Sequence, residues 1–226
     1  MNALIRCGFC YYPRVQPPDT LKLIEVDMAT VMRTLVLGST SPFRRELLNR
    51  LGIAFETASP EIDETPVPEE TPEALVTRLA RLKAEAVRES WPDALIIGSD
   101  QVATIDGDIL GKPGSHERAV EQLSKAAGKR VTFSTGLCLL NSRTGNTQIC
   151  CEPFHVYFRQ LEQQAIEHYL QREQPYNCAG SFKSEGLGIT LFEKMEGNDP
   201  NSLIGLPLIR LVDMLANEGW DVLENA

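Results

Sequence analysis

Residues 34–51, TLVLGSTSPFRRELLNRL, pass from one structural period to another within a few positions. Thr34 to Gly38 is a short apolar run of strand type, and from Pro42 to about Leu51 the leucines recur at helical spacing. Ser41 is placed to cap that helix, and Pro42 suits its first turn, where a missing N–H costs nothing. A strand that hands over to a capped helix across three hydroxyl-bearing residues is the opening unit of an α/β fold.

The alternation continues along the chain. Thr71 and Pro72 open a long helix that runs to about Ser90. ALIIGSD (94–100) reads as an apolar strand, and Asp106-Gly107 fits a type I′ hairpin tip. A helix follows near Glu117 to Ala127. VTFSTGLCLL (131–140) and QICCEPFHVYFRQ (148–160) are two long strands joined by the turn NSRTGN. Helix LEQQAIEHYLQRE (161–173), strand GITLFEK (188–194) and a helix from about Pro207 to Asn217 complete the pattern. Strands alternating with helices predict an α/β sheet with helices on its faces.

The 226 residues, 42% of them hydrophobic, suffice for a sizeable core. A net charge of −9 argues against a protein that grips a long nucleic-acid polymer, which needs a basic face. A small anionic ligand remains open, because a few clustered cations can bind one against an acidic background. No apolar run reaches the roughly 18 residues that span a bilayer. The six cysteines are sparse and irregular, and they read as reduced thiols of a cytoplasmic protein. Cys7 and Cys10 form a CxxC pair without a second ligand pair, so metal or redox use is not expected of them. Residues 1–31 show no sustained period and read as an N-terminal extension, either disordered or placed ahead of the true start at Met32. The remainder, 32–226, is expected to form the functional domain.

Four segments can carry chemistry. In Gly38-Ser39-Thr40-Ser41-Pro42-Phe43-Arg44-Arg45, unpaired amides of a helix N-terminus meet hydroxyls and two guanidiniums, a candidate phosphate cradle; the alternative is an ordinary capped helix. Asp100 closes the apolar strand, where open α/β sheets place their ligands, and Lys112 follows in the stiff turn Gly111-Lys112-Pro113. Glu61-Ile62-Asp63-Glu64 offers hard oxygens of the kind that suit Mg²⁺, although acidic loops are usually only solvated. Lys83 shares the apolar stripe of its helix with Leu75 and Leu79, as a snorkelling lysine or as one aimed into a phosphate-filled cleft. CAGSFKSEGLG (178–188) is a small-residue loop with Glu185 embedded in it. His116, His155 and His168 share no metal-ligand spacing.

Taken in order, LVLGSTSPFRRELL, EIDE, RLARLKAEA, LIIGSDQV, LGKP, CAGSFKSEGLGI and GLPL resemble the Maf family of nucleotide pyrophosphatases over about four fifths of the chain. The resemblance implies an elongated mixed sheet flanked by helices, with two lobes around a cleft. It implies hydrolysis of a nucleoside triphosphate between its α and β phosphates with a divalent metal, Mg²⁺ or Mn²⁺. By correspondence, Asp100 is the catalytic base, with Lys83 and Lys112 beside it in the catalytic set; Ser39, Arg44 and Arg45 bind the triphosphate; Glu64 and Asp100 face the metal. Phe43, Gln101 and Glu185 fall at the positions that set base choice. Ser99-Asp100-Gln101 and Ser184-Glu185-Gly186 are similar to the branch that acts on 7-methyl-GTP. The branch that acts on dTTP and UTP usually has Thr after the aspartate and Gln in place of Glu185. Phe43 departs from both, standing where the first often has Trp and the second Arg. The partner implied is a small nucleotide, a homodimer is allowed, and a non-enzymatic regulator of septum formation is the competing class.

Overall fold

The computed structural model describes residues 33–226; the extension 1–31, with Cys7 and Cys10, lies outside the described residues. Strand β1 (Thr34–Gly38) leads into helix α1 (Pro42–Asn49), followed by a short strand β2 (Glu56–Ala58) and the long helix α2 (Pro72–Ala86). Strand β3 (Ala94–Ile105) turns back into β4 (Asp108–Leu110), and α3 (His116–Ala126) leads to the long hairpin of β5 (Arg130–Asn141) and β6 (Thr147–Phe158). Helix α4 (Gln163–Glu173), strand β7 (Phe192–Gly197) and helices α5 (Pro200–Ile204) and α6 (Leu208–Asn217) follow. The strands form one mixed sheet in the order β2-β1-β3-β5-β6-β7, with β4 paired to β3. β1 pairs in parallel with β2 and β3, and the remaining pairs are antiparallel.

Capping explains the helix starts. Ser41 Oγ accepts from the Arg44 amide and Thr71 Oγ1 from the Ala74 amide, each ahead of a proline in the first turn. The helix expected to reach Ser90 ends at Ala86 and tightens into a 3₁₀ turn at Arg88–Ser90, because Trp91 precedes Pro92 and is pushed out of helical geometry. The expected strand GITLFEK is only half strand. Leu187–Leu191 winds as 3₁₀, since Gly188 packs so tightly on Lys183 that a Cβ there would lie 2.2 Å from its carbonyl oxygen. Pairing with β6 begins at Phe192.

The strand expected to end at Asp100 runs on to Ile105, which places Asp100 in mid-strand. Its β-branched continuation pairs with β5 as far as Thr104↔Thr132, and Asp106 and Gly107, both at positive φ, form the predicted turn. What stops near Asp100 is β1, whose last pair is Gly38↔Gly98. β4 begins only at Ala103↔Leu110. Residues 99–102 therefore lie at a gap in one edge of the sheet, between two neighbours that each end short of it.

Apolar ends and a polar middle divide the long strands between two lobes. Leu95, Ile97, Leu137 and Leu139 pack under α1 and α6, and Ile96, Cys138 and Leu140 pack under α2. At the other end Ala103, Ile105, Phe133, Phe154 and Phe158 join α3, α4, Phe182 and Phe192 in a separate core. Buried Ser99, Asp100, Ser134, Thr135 and Glu152 form a polar belt between them. Among the described residues no helix is long and apolar enough to cross a membrane.

α2 crosses this belt in direct contact with the sheet. A Cβ at Gly98 would lie 2.0 Å from the Ala80 carbonyl oxygen, and one at Gly136 would lie 2.2 Å from that of Val76. Gly98→Ala must therefore lift α2 or distort β3, at about 1–3 kcal/mol. Thermal unfolding followed by circular dichroism should show the melting temperature falling by roughly 2–12 °C; an unchanged value would show that the contact is not the constraint described.

Candidate active site

A cleft of about 810 Å³ opens at the gap in the sheet edge. The β1–α1 loop (Ser39 to Arg44), Glu64, Lys83, Asp100, Gln101, Lys112 and the segment 182–185 line it. The sequence segments singled out for chemistry thus converge, although they are scattered over most of the chain.

Asp100 is 8% exposed, and its Oδ1 accepts from Lys83 Nζ at 2.7 Å. The same Nζ lies 2.7 Å from Glu64 Oε1, so one buried ammonium bridges two carboxylates. Lys83 thus points into the cleft from the apolar stripe of α2, which a snorkelling lysine would not do. The hydrogen bond from Lys83 holds the Glu64 carboxyl below its usual range, with burial opposing and Lys112 and Arg44 adding to the effect.

In the β1–α1 loop, Ser39 Oγ accepts from the Ser41 amide at 3.1 Å and Ser41 Oγ from the Arg44 amide at 3.4 Å. Both hydroxyls act as acceptors here, so each keeps its own proton for an anion in the cleft. Arg44 Nε donates to the Gly205 carbonyl at 2.8 Å, and Ser99 Oγ donates to the same oxygen at 2.9 Å. Gly205 sits at φ 122°, a conformation that favours glycine. Burial pushes the Arg44 guanidinium below its ordinary pKa, while Asp100 and Glu64 push it back up. Arg45 is exposed and does not line the cleft. Successive helical side chains point about 100° apart, so the cradle read with two guanidiniums contains one.

Phe43, half-buried, and Glu185, exposed, both line the cleft. Gln101 also lines it, but its Nε2 is committed to Thr135 Oγ1 and to the carbonyls of Ser202 and Leu203 at 2.6 to 3.1 Å. Sequence reading did not single out Lys183, which lines the cleft and is steadied by the Glu173 carbonyl at 3.2 Å, nor the Gly205 carbonyl as the acceptor shared by Arg44 and Ser99. Lys183 stands two positions from Glu185 in a segment already marked; the Gly205 anchor has no local signal, because the partners are over a hundred residues apart.

Outside the cleft, His116 is held by Glu167 and Tyr176, and His155 by Thr132. Burial pushes the Cys138 thiol up to about 12 and those of Cys150, Cys151 and Cys178 up to about 11, so these cysteines stay protonated at neutral pH. Among the described residues no group of three or more His, Cys, Asp or Glu side chains is arranged to hold a metal. Arg44, Lys83, Lys112 and Lys183 outnumber Glu64, Asp100 and Glu185 along the cleft, although the chain as a whole carries −9.

A cation-rich cleft at a sheet-edge gap, with a buried aspartate on its floor, defines an α/β protein built to hold a polyanion beside a carboxylate. The chain belongs to the family of Maf-like proteins, whose profile matches residues 34–218. It is 61% identical over 191 residues to the 7-methyl-GTP pyrophosphatase of Pseudomonas syringae pv. tomato, covering 84% of this chain and all of that protein. It is 59% identical over 190 residues to the protein of that name from Nitrosococcus oceani, covering 84% and 96%. The Alcanivorax borkumensis protein of the same name matches at 60% over 186 residues, covering 82% and 94%. Among solved structures, the Staphylococcus aureus Ham1 protein aligns at a TM-score of 0.41 and 17% identity over 57% of this chain and 73% of its own, too slight a likeness to bear on the site.

Because the Glu64 carboxyl is held down, its contribution to stability is present above the unfolded value of about 4.3 and is lost as pH falls through the lower folded value. Its side chain is 59% exposed, so that contribution is under about 1 kcal/mol. Glu64→Gln should lower the melting temperature slightly at pH 7, and the difference from wild type should shrink as pH falls below the unfolded value and through the lower folded one. A gap that persists undiminished in acid would mean that the carboxylate charge is not what holds Lys83.

Proposed function

We propose that this protein hydrolyses 7-methyl-GTP to 7-methyl-GMP and pyrophosphate, acting on the free nucleotide pool of the cytoplasm. The single observation that carries the chemical reading is the ammonium of Lys83 set between Asp100 and Glu64 on the floor of a cationic cleft. The name shared by relatives about 60% identical supports the nucleotide.

The triphosphate is bound by the Ser39 hydroxyl and the Arg44 guanidinium, with Lys83 and Lys112 neutralising charge spread over phosphate oxygens. Arg44 reaches the cleft with its Nε already spent on Gly205, which leaves its terminal amines for phosphate. Asp100, which holds Lys83 in the nucleotide-free cleft, offers an oxygen to a water molecule and accepts its proton as that water attacks the α phosphorus. Pyrophosphate leaves with the electrons of the broken α–β anhydride bond.

Two hard carboxylates on one point suit Mg²⁺ or Mn²⁺, which take one or two carboxylates and complete their shell with phosphates and water. Glu64 and Asp100 would hold the ion, and its chemistry there is charge neutralisation at the phosphates. At the nucleobase, Phe43 offers a ring face to the positive charge of N7-methylguanine, and Glu185 accepts from N1–H and the exocyclic amine. Gln101 contributes by holding α5 beneath the cleft, since its amide nitrogen is turned away to Ser202 and Leu203.

Asp100→Asn should lower the rate of pyrophosphate release by roughly 10²–10⁴-fold with little change in melting temperature; release at the parent rate would overturn the assigned base. A nucleotide panel should show a kcat/KM for 7-methyl-GTP at least about tenfold above that for UTP, or about 1.4 kcal/mol of discrimination. Turnover of UTP as good or better would overturn the nucleobase.

A further inference from the structure

We infer that Lys83 is a placeholder as well as a phosphate contact: in the nucleotide-free protein its ammonium holds the position between Glu64 and Asp100 that a divalent cation needs, so the two carboxylates accept a metal only together with the triphosphate. The inference rests on the reading of the cleft as a triphosphate site.

The geometry is restrictive. Lys83 Nζ lies 2.7 Å from an oxygen of each carboxylate, so a cation bound to both would meet the ammonium in close like-charge contact. Helix α2 could withdraw the lysine only by giving up its close backbone contact with the sheet at Gly98 and Gly136. Short of that, Lys83 leaves only by rotating its own side chain, and it is 7% exposed, with little solvent to receive a displaced charge. A triphosphate in the cleft supplies the missing anionic partner. Arg44 adds further positive charge close to both carboxylates, and Lys112 close to Glu64. Among the described residues no third His, Cys, Asp or Glu joins the pair, so further ligands must come from nucleotide and water. Metal and nucleotide then promote each other's binding, and the coupling is reciprocal.

Manganese(II) alone, titrated into the nucleotide-free protein and followed by the electron paramagnetic resonance signal of the free ion, tests this without turnover. Lys83→Met should bind the ion at least tenfold more tightly than wild type. Lys83→Arg, which keeps the charge, should show no gain, and Glu64→Gln added to Lys83→Met should abolish it. Circular dichroism checks that each variant is folded, and Lys83→Gln, neutral and still able to donate a hydrogen bond, replaces Lys83→Met if that variant fails to fold. The inference is overturned if the neutral variant binds manganese no more tightly than wild type, or if Lys83→Arg gains as much. A wrong catalytic base or nucleobase would appear only in pyrophosphate release and would leave these titrations unchanged.

Discussion

The contact of α2 with bare sheet backbone is the constraint on which the site depends. With Gly98 and Gly136 on neighbouring strands, the helix packs at backbone distance from β3 and β5. That closeness brings a lysine from the apolar stripe of the helix within 2.7 Å of Asp100, with no intervening side chain. Residues with a Cβ at these positions would raise α2, and the ammonium would fall short of the carboxylate. Removing the lysine charge would leave buried Asp100 without its partner, at about 3–5 kcal/mol, whereas neutralising Asp100 leaves Lys83 still paired with Glu64. Packing and chemistry are therefore a single constraint here, imposed by two residues that have no side chain.

The second organising feature is the gap in the sheet edge at residues 99–102. Side chains alternate across a strand, so Asp100 faces α2 while Ser99 and Gln101 face α5. A ligand entering between the end of β1 and the start of β4 meets both faces of β3 at once. Arg44 ties the two sides together, bonded to Gly205 at the end of α5 and felt electrostatically by Asp100 on the α2 side. The polar belt sits between the two apolar clusters at one end of the sheet and the third at the other, so the cleft is carved without removing residues from any of them.

Much of this was legible in the sequence, for physical reasons that also explain the misses. Ser41-Pro42 and Thr71-Pro72 are local signals whose capping depends on residues three positions away, and they read correctly. Asp106-Gly107 likewise fixed its turn through its own backbone preference. Asp100 lies in mid-strand and not at a strand end: an apolar run ending in a carboxylate looks like a strand terminus, but the strand is prolonged by pairing with β5, which no local pattern encodes. Arg45 was grouped with Arg44 by adjacency, although helical geometry separates them. The carboxylate–lysine–carboxylate bridge joins residues from a loop, a helix and a strand, and the family resemblance marked its members without showing that they meet.

The distribution of charge accounts for how an acidic chain can hold a polyanion. Across the surface the net charge of −9 repels nucleotides at long range, but screening confines that repulsion to about 8–10 Å at physiological salt. Inside the cleft Lys83 is buried and Arg44 half-buried, and charges in such surroundings act more strongly per contact than exposed ones. Local sign thus outweighs global sign once the ligand is within the cleft. Discrimination between nucleotides then falls to Phe43 and Glu185, which touch the base rather than the phosphates in this reading. Under the proposed function, changes at those two positions redirect base choice while the floor of Lys83, Glu64 and Asp100 keeps its chemistry.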